Sequence, residues 1–247
     1  MLSTIAIVLF YLIMGFPAAL IGLPWTLLRR DISFLYRWAM WISNTGLKLG
    51  GIRIDVSGRE QLDPVRHYVF MSNHVSNLDP PVLLPLLPGR TSVFLKRSLM
   101  KIPLLGYAMR LGDFVPVDRD GRVESAKQSV ERARQVIDSG LHITSFVEGT
   151  RSRDGRLLPF KKGPFYLAME TGNPIVPISI WGTESMMKKG SVRITPGTAH
   201  VVFHSPVWPR DYATREELMA AVRQAIASSL PAWMRGDDLV LSNDRSA

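Results

Sequence analysis

A histidine and an aspartate five positions apart are the residues of this sequence best suited to acid–base chemistry. They belong to the run Asn73-His74-Val75-Ser76-Asn77-Leu78-Asp79, which follows the apolar residues 68–71 and precedes Pro80 and Pro81. A neutral imidazole can take a proton from a hydroxyl group, and a carboxylate on its other nitrogen fixes the tautomer and stabilises the resulting imidazolium. The pair therefore predicts general base catalysis with His74 as base, Asp79 as its partner and a substrate hydroxyl as nucleophile.

The backbone around this pair decides whether the two side chains can meet. Asp79 before Pro80 is typical of a helix N-cap followed by a proline in the first turn, which puts His74 on a strand-to-helix loop. In one straight helix, positions five apart diverge by about 140°. The pair thus meets only if the loop folds His74 back over the helix start, and spacing alone leaves open a loop histidine beside a capping aspartate.

Short apolar runs alternate with helical patterns after Gly50 and Gly51. Strands are predicted near residues 52–57, 68–72, 92–95, 114–117, 143–146, 175–180, 192–194 and 199–203, because these runs are rich in Val, Ile and Phe. Apolar residues recur at spacings of three and four within 123–139, and Thr214 with Glu217 predicts a capping box for a helix over 214–230. This alternation predicts an α/β fold with a mixed, largely parallel sheet flanked by helices.

The N-terminal segment predicts membrane association. Residues 2–28 carry no charged side chain, and as a helix they would extend about 40 Å, enough for a bilayer core of ~30 Å. Pro17 and Pro24 favour kinks, so a hairpin of two short helices in one leaflet is an alternative to a single crossing, and a cleaved signal peptide is another. Arg29, Arg30 and Arg37 follow, and if the segment crosses once, the positive-inside rule places the rest of the chain in the cytoplasm.

A second amphipathic helix is expected over residues 32–49, either at the membrane interface or packed on the globular domain. The predicted organisation is a membrane-anchoring segment over residues 1–50, an α/β domain over 51–235 and a polar tail over 236–247. The formal net charge of +9 favours an anionic partner, but the basic residues form no long run, so a nucleic-acid-binding role is not predicted. The absence of cysteine excludes disulfides and thiol nucleophiles.

Four ordered blocks resemble the glycerolipid acyltransferases with an H-x4-D motif, and among them the bacterial 1-acyl-sn-glycerol-3-phosphate acyltransferases. The blocks are His74–Asp79, residues 112–119 ending in Asp118-Arg119, residues 146–152 (Phe-Val-Glu-Gly-Thr-Arg-Ser) and residues 175–178 (Ile-Val-Pro-Ile). Val147 stands where the family usually has proline, and Pro116-Val117 where it usually has Phe-Ile. Neither departure removes a chemical group, although both leave the acceptor open.

The resemblance implies roles for further residues. Arg119 and the run Glu148, Gly149, Thr150 and Arg151 are expected to bind the phosphate of the acceptor, and Lys96 to form a wall of the site. Two guanidinium groups suit a phosphate because each offers paired donors. Glu148 is expected to orient Arg151 or the acceptor. Ordinary surface ion pairs are the alternative for the arginines.

The function implied is transfer of a fatty acyl group from an acyl thioester to the free hydroxyl of lysophosphatidic acid, giving phosphatidic acid. The donor would be acyl-coenzyme A or acyl carrier protein, with no metal or redox cofactor, and the expected partners are membrane lipids and a lysophospholipid, with no nucleic acid. The expected location is the inner, cytoplasmic membrane with the catalytic domain on its cytoplasmic side. Alternatives are a different acceptor (glycerol-3-phosphate, another lysophospholipid or an aminolipid) and a non-catalytic, membrane-anchored lipid-binding protein.

Overall fold

A computed structural model describes residues 2–118 and 123–236 of the chain. Its centre is a seven-stranded sheet in the order β1-β7-β6-β2-β5-β3-β4. The strands are β1 (Ile52–Ser57), β2 (Val69–Ser72), β3 (Thr91–Lys96), β4 (Val115–Val117), β5 (His142–Phe146), β6 (Ile175–Trp181) and β7 (Gly197–Phe203). Five neighbouring pairs are parallel and only β6 with β7 is antiparallel, which confirms the mixed, largely parallel sheet.

Helices cover the sheet, as predicted. Those of the described residues are α1 (Leu2–Pro17), α2 (Leu23–Arg29), α3 (Ser33–Leu49), α4 (Asp79–Leu83), α5 (Leu105–Leu111), α6 (Val123–Asp138), α7 (Gly163–Thr171), α8 (Thr183–Met186) and α9 (Arg215–Ser229). The capping box of α9 is confirmed, because the Thr214 hydroxyl accepts from the Glu217 N–H at 3.2 Å and the Glu217 carboxylate accepts from the Thr214 N–H.

The strands are apolar on both faces because a separate core lies on each side of the sheet. Val69 and Met71 of β2 point into a core shared with α6, α7 and α9, whereas Phe70 between them points into a core shared with α4 and the N-terminal helices. Side chains alternate between the faces of a strand, so a central strand buried on both sides must be apolar throughout.

One predicted strand is wrong. Residues 192–194 form an extended loop instead, because the backbone of Ile194 pairs with a side chain from the N-terminal helix. The Ile194 N–H donates to the Thr4 hydroxyl at 2.8 Å, and that hydroxyl donates to the Ile194 carbonyl at 3.3 Å. Both hydrogen-bonding groups that a strand would offer its neighbour are thus engaged by one threonine.

The N-terminal segment forms one helical stretch, Leu2–Arg29, that is long and apolar enough to cross a membrane, with a mean hydropathy of 2.4 and only 17% of its most apolar window buried. A π-helical turn over Ala18–Gly22 directly follows Pro17, which lacks the N–H needed to continue a regular helix. After Arg30, at a φ of 51°, α3 packs against α1.

The packing of α3 on the globular domain is confirmed for part of the helix, and its place at a membrane interface stays a prediction. Leu47 is buried in the core below the sheet, while Trp41 remains half exposed. The division at residues 50 and 235 stays a prediction, and the predicted polar tail lies outside the described residues apart from Gly236.

The sheet topology creates one polar edge. Strands β2, β3, β4, β5 and β6 run parallel to each other, so the residues that follow them emerge at the same edge. His74 follows β2, Lys96 ends β3 and Glu148 follows β5. Loops at the carboxyl ends of parallel strands are the usual place for ligand sites in such sheets.

Candidate active site

His74 and Asp79 meet in the loop between β2 and α4. The Nδ1 atom of His74 lies 2.7 Å from Oδ2 of Asp79. The same oxygen accepts hydrogen bonds from the backbone N–H groups of Val75 at 2.7 Å and Ser76 at 2.8 Å. The carboxylate thus gathers the loop around itself, and this is the turn that the spacing required.

Asp79 does not cap its helix, so that prediction was wrong. The helix α4 begins at Asp79 itself, and Leu78 occupies the N-cap position with no side-chain bond. The carboxylate turns back toward the preceding loop because three donors there converge on it.

The Asp79 carboxylate is fully buried yet fully hydrogen-bonded. Its second oxygen, Oδ1, accepts from the hydroxyl of Thr183 at 2.5 Å, and Thr183 lies in α8, directly after β6. A buried charge is tolerated only when donors replace the lost water. Four donors do so here, and they hold the acid in one orientation beneath the imidazole.

The environment of His74 leaves one ring nitrogen for chemistry. A carboxylate only accepts hydrogen bonds, so in the neutral imidazole Nδ1 is the nitrogen that carries the proton and Nε2 the one with the lone pair. The ring stacks on Phe146 with a centroid distance of 4.3 Å, and its side chain is 15% exposed. The imidazole is therefore fixed in tautomer and plane, with an edge open to solvent.

Asn73 links the histidine loop to the next strand. Its side-chain amide donates to the carbonyl of Ile180 at 2.8 Å and accepts from the Ile180 N–H at 2.8 Å. These two hydrogen bonds imitate strand pairing just beyond the end of β2. Asn73, Phe146 and Thr183 were not among the predicted site residues, because their partners are distant in the chain.

Glu148 lies beneath the site and braces two loops. Its side chain is 2% exposed; Oε1 accepts from the His74 N–H at 2.8 Å and Oε2 accepts from the Leu158 N–H at 3.1 Å. These contacts connect the β2 and β5 loops through the backbone of the predicted base. The structure thus gives Glu148 a supporting position, and the expected orientation of Arg151 or the acceptor by this residue stays a prediction.

Burial raises the pKa of Glu148 from its ordinary value of 4.5 to about 8, against the lowering effect of the two N–H donors. Between pH 4.5 and about pH 8, the carboxyl group of Glu148 is therefore protonated in the folded state and ionised in the unfolded chain. We expect its contribution to the free energy of unfolding to be fully present below pH 4.5 and to fall as the pH rises through that range, by roughly 1 kcal/mol per pH unit.

Replacing Glu148 with glutamine tests this expectation. Glutamine keeps an acceptor for one N–H and cannot ionise, so the difference in unfolding free energy between variant and wild type should shift in favour of the variant as the pH rises from 5 to 8. Denaturant unfolding at several pH values measures it, with Glu170→Gln on the exposed face of α7 as the control. Parallel pH curves for E148Q and wild type would contradict the raised pKa.

The loop that contains Arg151 is fastened to the histidine loop. The Ser152 N–H donates to the His74 carbonyl at 2.9 Å, and the Lys189 ammonium donates to the Arg151 carbonyl at 2.6 Å. Gly149 has a φ of 68°, where a side chain is strained, and its neighbour Thr150 is partly buried. The Arg151 segment is thus held by hydrogen bonds to its backbone groups, and the guanidinium group takes part in neither of them.

Lys96 and the second block, residues 112–119, lie further along the same edge. Lys96 is exposed at the end of β3 and pairs in register with Val117 of β4. Asp118 follows, and both of its oxygens accept from Nε of Arg97 at 2.7 Å. Arg119, the predicted phosphate ligand, lies outside the described residues.

Comparison with known proteins bears on the same region. The model of the acyltransferase family matches residues 53–181. The chain is 31% identical over 212 residues to the 1-acyl-sn-glycerol-3-phosphate acyltransferase of Limnanthes douglasii, covering 85% of this chain and 74% of that protein. It is 34% identical over 172 residues to the 1-acyl-sn-glycerol-3-phosphate acyltransferase alpha of Homo sapiens, covering 70% of this chain and 60% of that one.

A solved structure resembles the whole chain. The crystal structure of the 1-acyl-sn-glycerophosphate (LPA) acyltransferase PlsC from Thermotoga maritima superposes with a TM-score of 0.76 at 25% identity, and the match covers 98% of this chain and 96% of that chain. The family match contains both the His74–Asp79 pair and the loop from Glu148 to Arg151. The chain therefore belongs to the acyltransferase family.

Proposed function

We propose that this enzyme transfers a fatty acyl group from an acyl thioester to the free hydroxyl of lysophosphatidic acid, and so forms phosphatidic acid in membrane phospholipid synthesis. The observation that carries the proposal is the 2.7 Å contact between His74 and a buried, fully hydrogen-bonded carboxylate, which leaves Nε2 as a base. The relatives named as 1-acyl-sn-glycerol-3-phosphate acyltransferases support the choice of acceptor.

In the proposed reaction, His74 Nε2 takes the proton of the acceptor hydroxyl as its oxygen attacks the thioester carbonyl carbon. The tetrahedral intermediate then collapses, the carbon–sulfur bond breaks, and the imidazolium returns the proton to the leaving thiolate. Asp79 stabilises the imidazolium in between. No metal or redox cofactor takes part, and the donor is acyl-coenzyme A or acyl carrier protein.

Arg151 is proposed to bind the phosphate of the acceptor, together with Lys96 and Arg119. The support is positional, because the Arg151 loop is bonded to the His74 backbone and Lys96 lies at the same edge of the sheet. A fixed guanidinium offers a phosphate two parallel donors, which a lysine cannot. Phosphate binding there would hold the acceptor within reach of the imidazole.

Arg151→Ala is expected to raise KM for lysophosphatidic acid about 10- to 100-fold, the equivalent of one charge-assisted hydrogen-bonded contact. Arg151→Lys should recover only part of this loss, since the charge remains but the paired donors do not. Initial rates over a range of acceptor concentrations measure the effect, and Arg193→Ala, at an exposed position, serves as control. An unchanged KM in R151A would exclude this residue from phosphate binding.

We further propose that the protein resides in the inner, cytoplasmic membrane with its catalytic domain on the cytoplasmic side. The apolar stretch Leu2–Arg29 supports the membrane association, and the basic residues Arg29, Arg30 and Arg37 after it support the orientation. Protease treatment of intact spheroplasts should leave the catalytic domain uncut, and inverted vesicles should expose it.

An acceptor panel tests the proposed substrate directly. The purified full-length protein is supplied with one acyl-coenzyme A and either lysophosphatidic acid, glycerol-3-phosphate or lysophosphatidylethanolamine, and then with the matching acyl carrier protein donor. We expect phosphatidic acid from lysophosphatidic acid as the main product. Faster acylation of either other acceptor would replace the proposed substrate, and no acylation with any pair, alongside measurable lipid binding, would indicate a binding protein.

A further inference from the structure

An exposed apolar loop lies beside the candidate active site and has no role in the chemistry proposed above. Residues 101–105 (Lys-Ile-Pro-Leu-Leu), here called the 101–105 loop, run from the last residue of a 3-10 helix after β3 to the first residue of α5, and all five are exposed. Ile102 is 44%, Leu104 57% and Leu105 47% exposed. Leu99 and Tyr107 on either side are also exposed, so the apolar surface is contiguous along the chain.

The backbone of the loop is rigid. Leu105 donates to the Pro103 carbonyl at 2.6 Å, Gly106 to Ile102 at 2.7 Å and Ala108 to Leu104 at 2.9 Å. A Cβ atom on Gly106 would lie 2.1 Å from the Met100 carbonyl oxygen, so the loop closes tightly on the preceding helix. Leu104 has a φ of 61°, which a non-glycine residue adopts only where its surroundings impose it. The leucines are therefore held outward and not merely left there by a flexible segment.

The loop adjoins the membrane-associated helices. Ala108 and Leu111 of α5 pack against the apolar cluster of Ala18, Leu23, Ile32, Leu35 and Ile42, which belongs to the N-terminal segment and α3. Leu105 lies one turn before Ala108 on the same face of α5. The exposed apolar surface of the loop thus borders the helical stretch that is apolar enough to enter a bilayer.

The charge of this region indicates what covers it. Residues 96–111 contain four basic side chains, Lys96, Arg97, Lys101 and Arg110, and no acidic one. Arg97 is paired with Asp118, so the charge that can meet a partner comes from Lys96, Lys101 and Arg110. Apolar side chains flanked by lysine and arginine suit the surface of an anionic bilayer. The apolar side chains enter the acyl boundary, and the basic side chains meet the headgroups. An acidic carrier protein would satisfy the charges but not the contiguous leucines and isoleucine.

We propose that the 101–105 loop is a second membrane contact, which inserts Ile102, Leu104 and Leu105 into an anionic leaflet beside the N-terminal helices. The edge of the sheet that carries His74 would then face the bilayer at two places, and a lysophospholipid could enter between them without leaving the interface. This proposal rests on the membrane association proposed above and specifies which further surface takes part.

The absence of cysteine from the chain allows a direct test by single-site labelling. Leu104→Cys carries an environment-sensitive fluorophore in the full-length protein reconstituted in vesicles of phosphatidylethanolamine and phosphatidylglycerol. Leu12→Cys in α1 is the positive control. Val65→Cys, an apolar residue that is 84% exposed before β2, at the opposite edge of the sheet, is the negative control. Quenching by nitroxide lipids and by aqueous iodide reports the surroundings of each position.

We expect nitroxides near the headgroup to quench the Leu104 label more strongly than nitroxides at the chain end, in keeping with insertion by about 5–10 Å. The Leu12 label should be quenched by lipid and the Val65 label by iodide alone. Iodide access at Leu104 equal to that at Val65 would overturn the proposal while leaving the anchor intact. Protection from iodide without lipid quenching would show a protein partner or a second copy on this surface and would also overturn it. A Leu12 label without lipid quenching would remove the membrane association itself.

A functional measurement separates this contact from the chemistry. Because the side chain of Leu104 is exposed, the substitution Leu104→Glu should not disturb folding. It should, however, lower the rate on long-chain lysophosphatidic acid in vesicles about tenfold. The rate on a short-chain, water-soluble lysophosphatidic acid should remain that of wild type. Equal losses of rate on both substrates would indicate damage to the active site and contradict the proposal. If the wild type itself acylated neither substrate, only the proposed function would be refuted.

Discussion

Replacing His74 with alanine is expected to lower kcat for acyl transfer at least ~100-fold, because the variant lacks the proposed base that would remove the hydroxyl proton during attack. The free energy of unfolding should fall by about 1–3 kcal/mol, because the variant removes one of the four donors to the buried Asp79 carboxylate and the stacking on Phe146. Steady-state rates with lysophosphatidic acid and one acyl-coenzyme A measure the loss, and KM for the acceptor should stay close to that of wild type.

The chain supplies a matched control for this experiment. His200 also pairs through Nδ1 with an aspartate, Asp55, at 3.0 Å, but at the margin of the sheet, where Asp55 is exposed. His200→Ala removes the same kind of pair without touching the loop after β2, so its rate should equal that of wild type. If H74A remained within threefold of wild type, His74 would not be the base and the mechanism would need another group.

Replacing Asp79 is expected to have two separable effects. Asparagine can turn its carbonyl oxygen toward the N–H groups of Val75 and Ser76 and its amide toward the hydroxyl of Thr183, so D79N should fold. It cannot offset the positive charge on the imidazolium, however. We therefore expect a loss in kcat of about 100-fold or more in D79N, from the missing charge alone.

Alanine at the same position should in addition destabilise the protein. It leaves the donors of Val75, Ser76 and Thr183 buried without an acceptor, which costs about 3–5 kcal/mol in the free energy of unfolding. Denaturant unfolding of D79A and D79N beside wild type separates this cost from the catalytic one. A D79N enzyme with wild-type kcat, while H74A remains impaired, would show that the carboxylate only builds the loop.

The arrangement would allow one acid to serve both the fold and the proposed chemistry. The four donors to Asp79 come from three parts of the site: the imidazole of His74, two N–H groups of the loop backbone, and the hydroxyl of Thr183 beyond β6. Glu148 repeats this design on the other side of His74, where it bonds the His74 and Leu158 N–H groups. Two buried carboxyl groups therefore hold His74, Glu148 through its backbone N–H and Asp79 through its ring.

Much of the fold follows from local pattern. Of the eight strands predicted from runs of Val, Ile and Phe, seven are confirmed, and Thr214 with Glu217 predicted the start of α9. Strand and capping preferences act within a few residues, which is why local pattern reveals them. The uncharged stretch before Arg29 predicted the long apolar helix for the same reason. The resemblance of four ordered blocks predicted the family, which the spacing of His74 and Asp79 alone does not.

Contacts between distant parts of the chain settled the rest. The predicted strand at 192–194 was lost to Thr4, and the bond from Thr183 to Asp79 spans 104 positions. Neither partner is visible in a local window, because a hydrogen bond depends on where the sheet brings two loops and not on their sequence neighbours. Sequence by itself determined which groups could do the chemistry. The packing of β2, β5 and β6 decided that the buried carboxylate of Asp79 contacts the His74 ring and that Glu148 binds the backbone of the same loop.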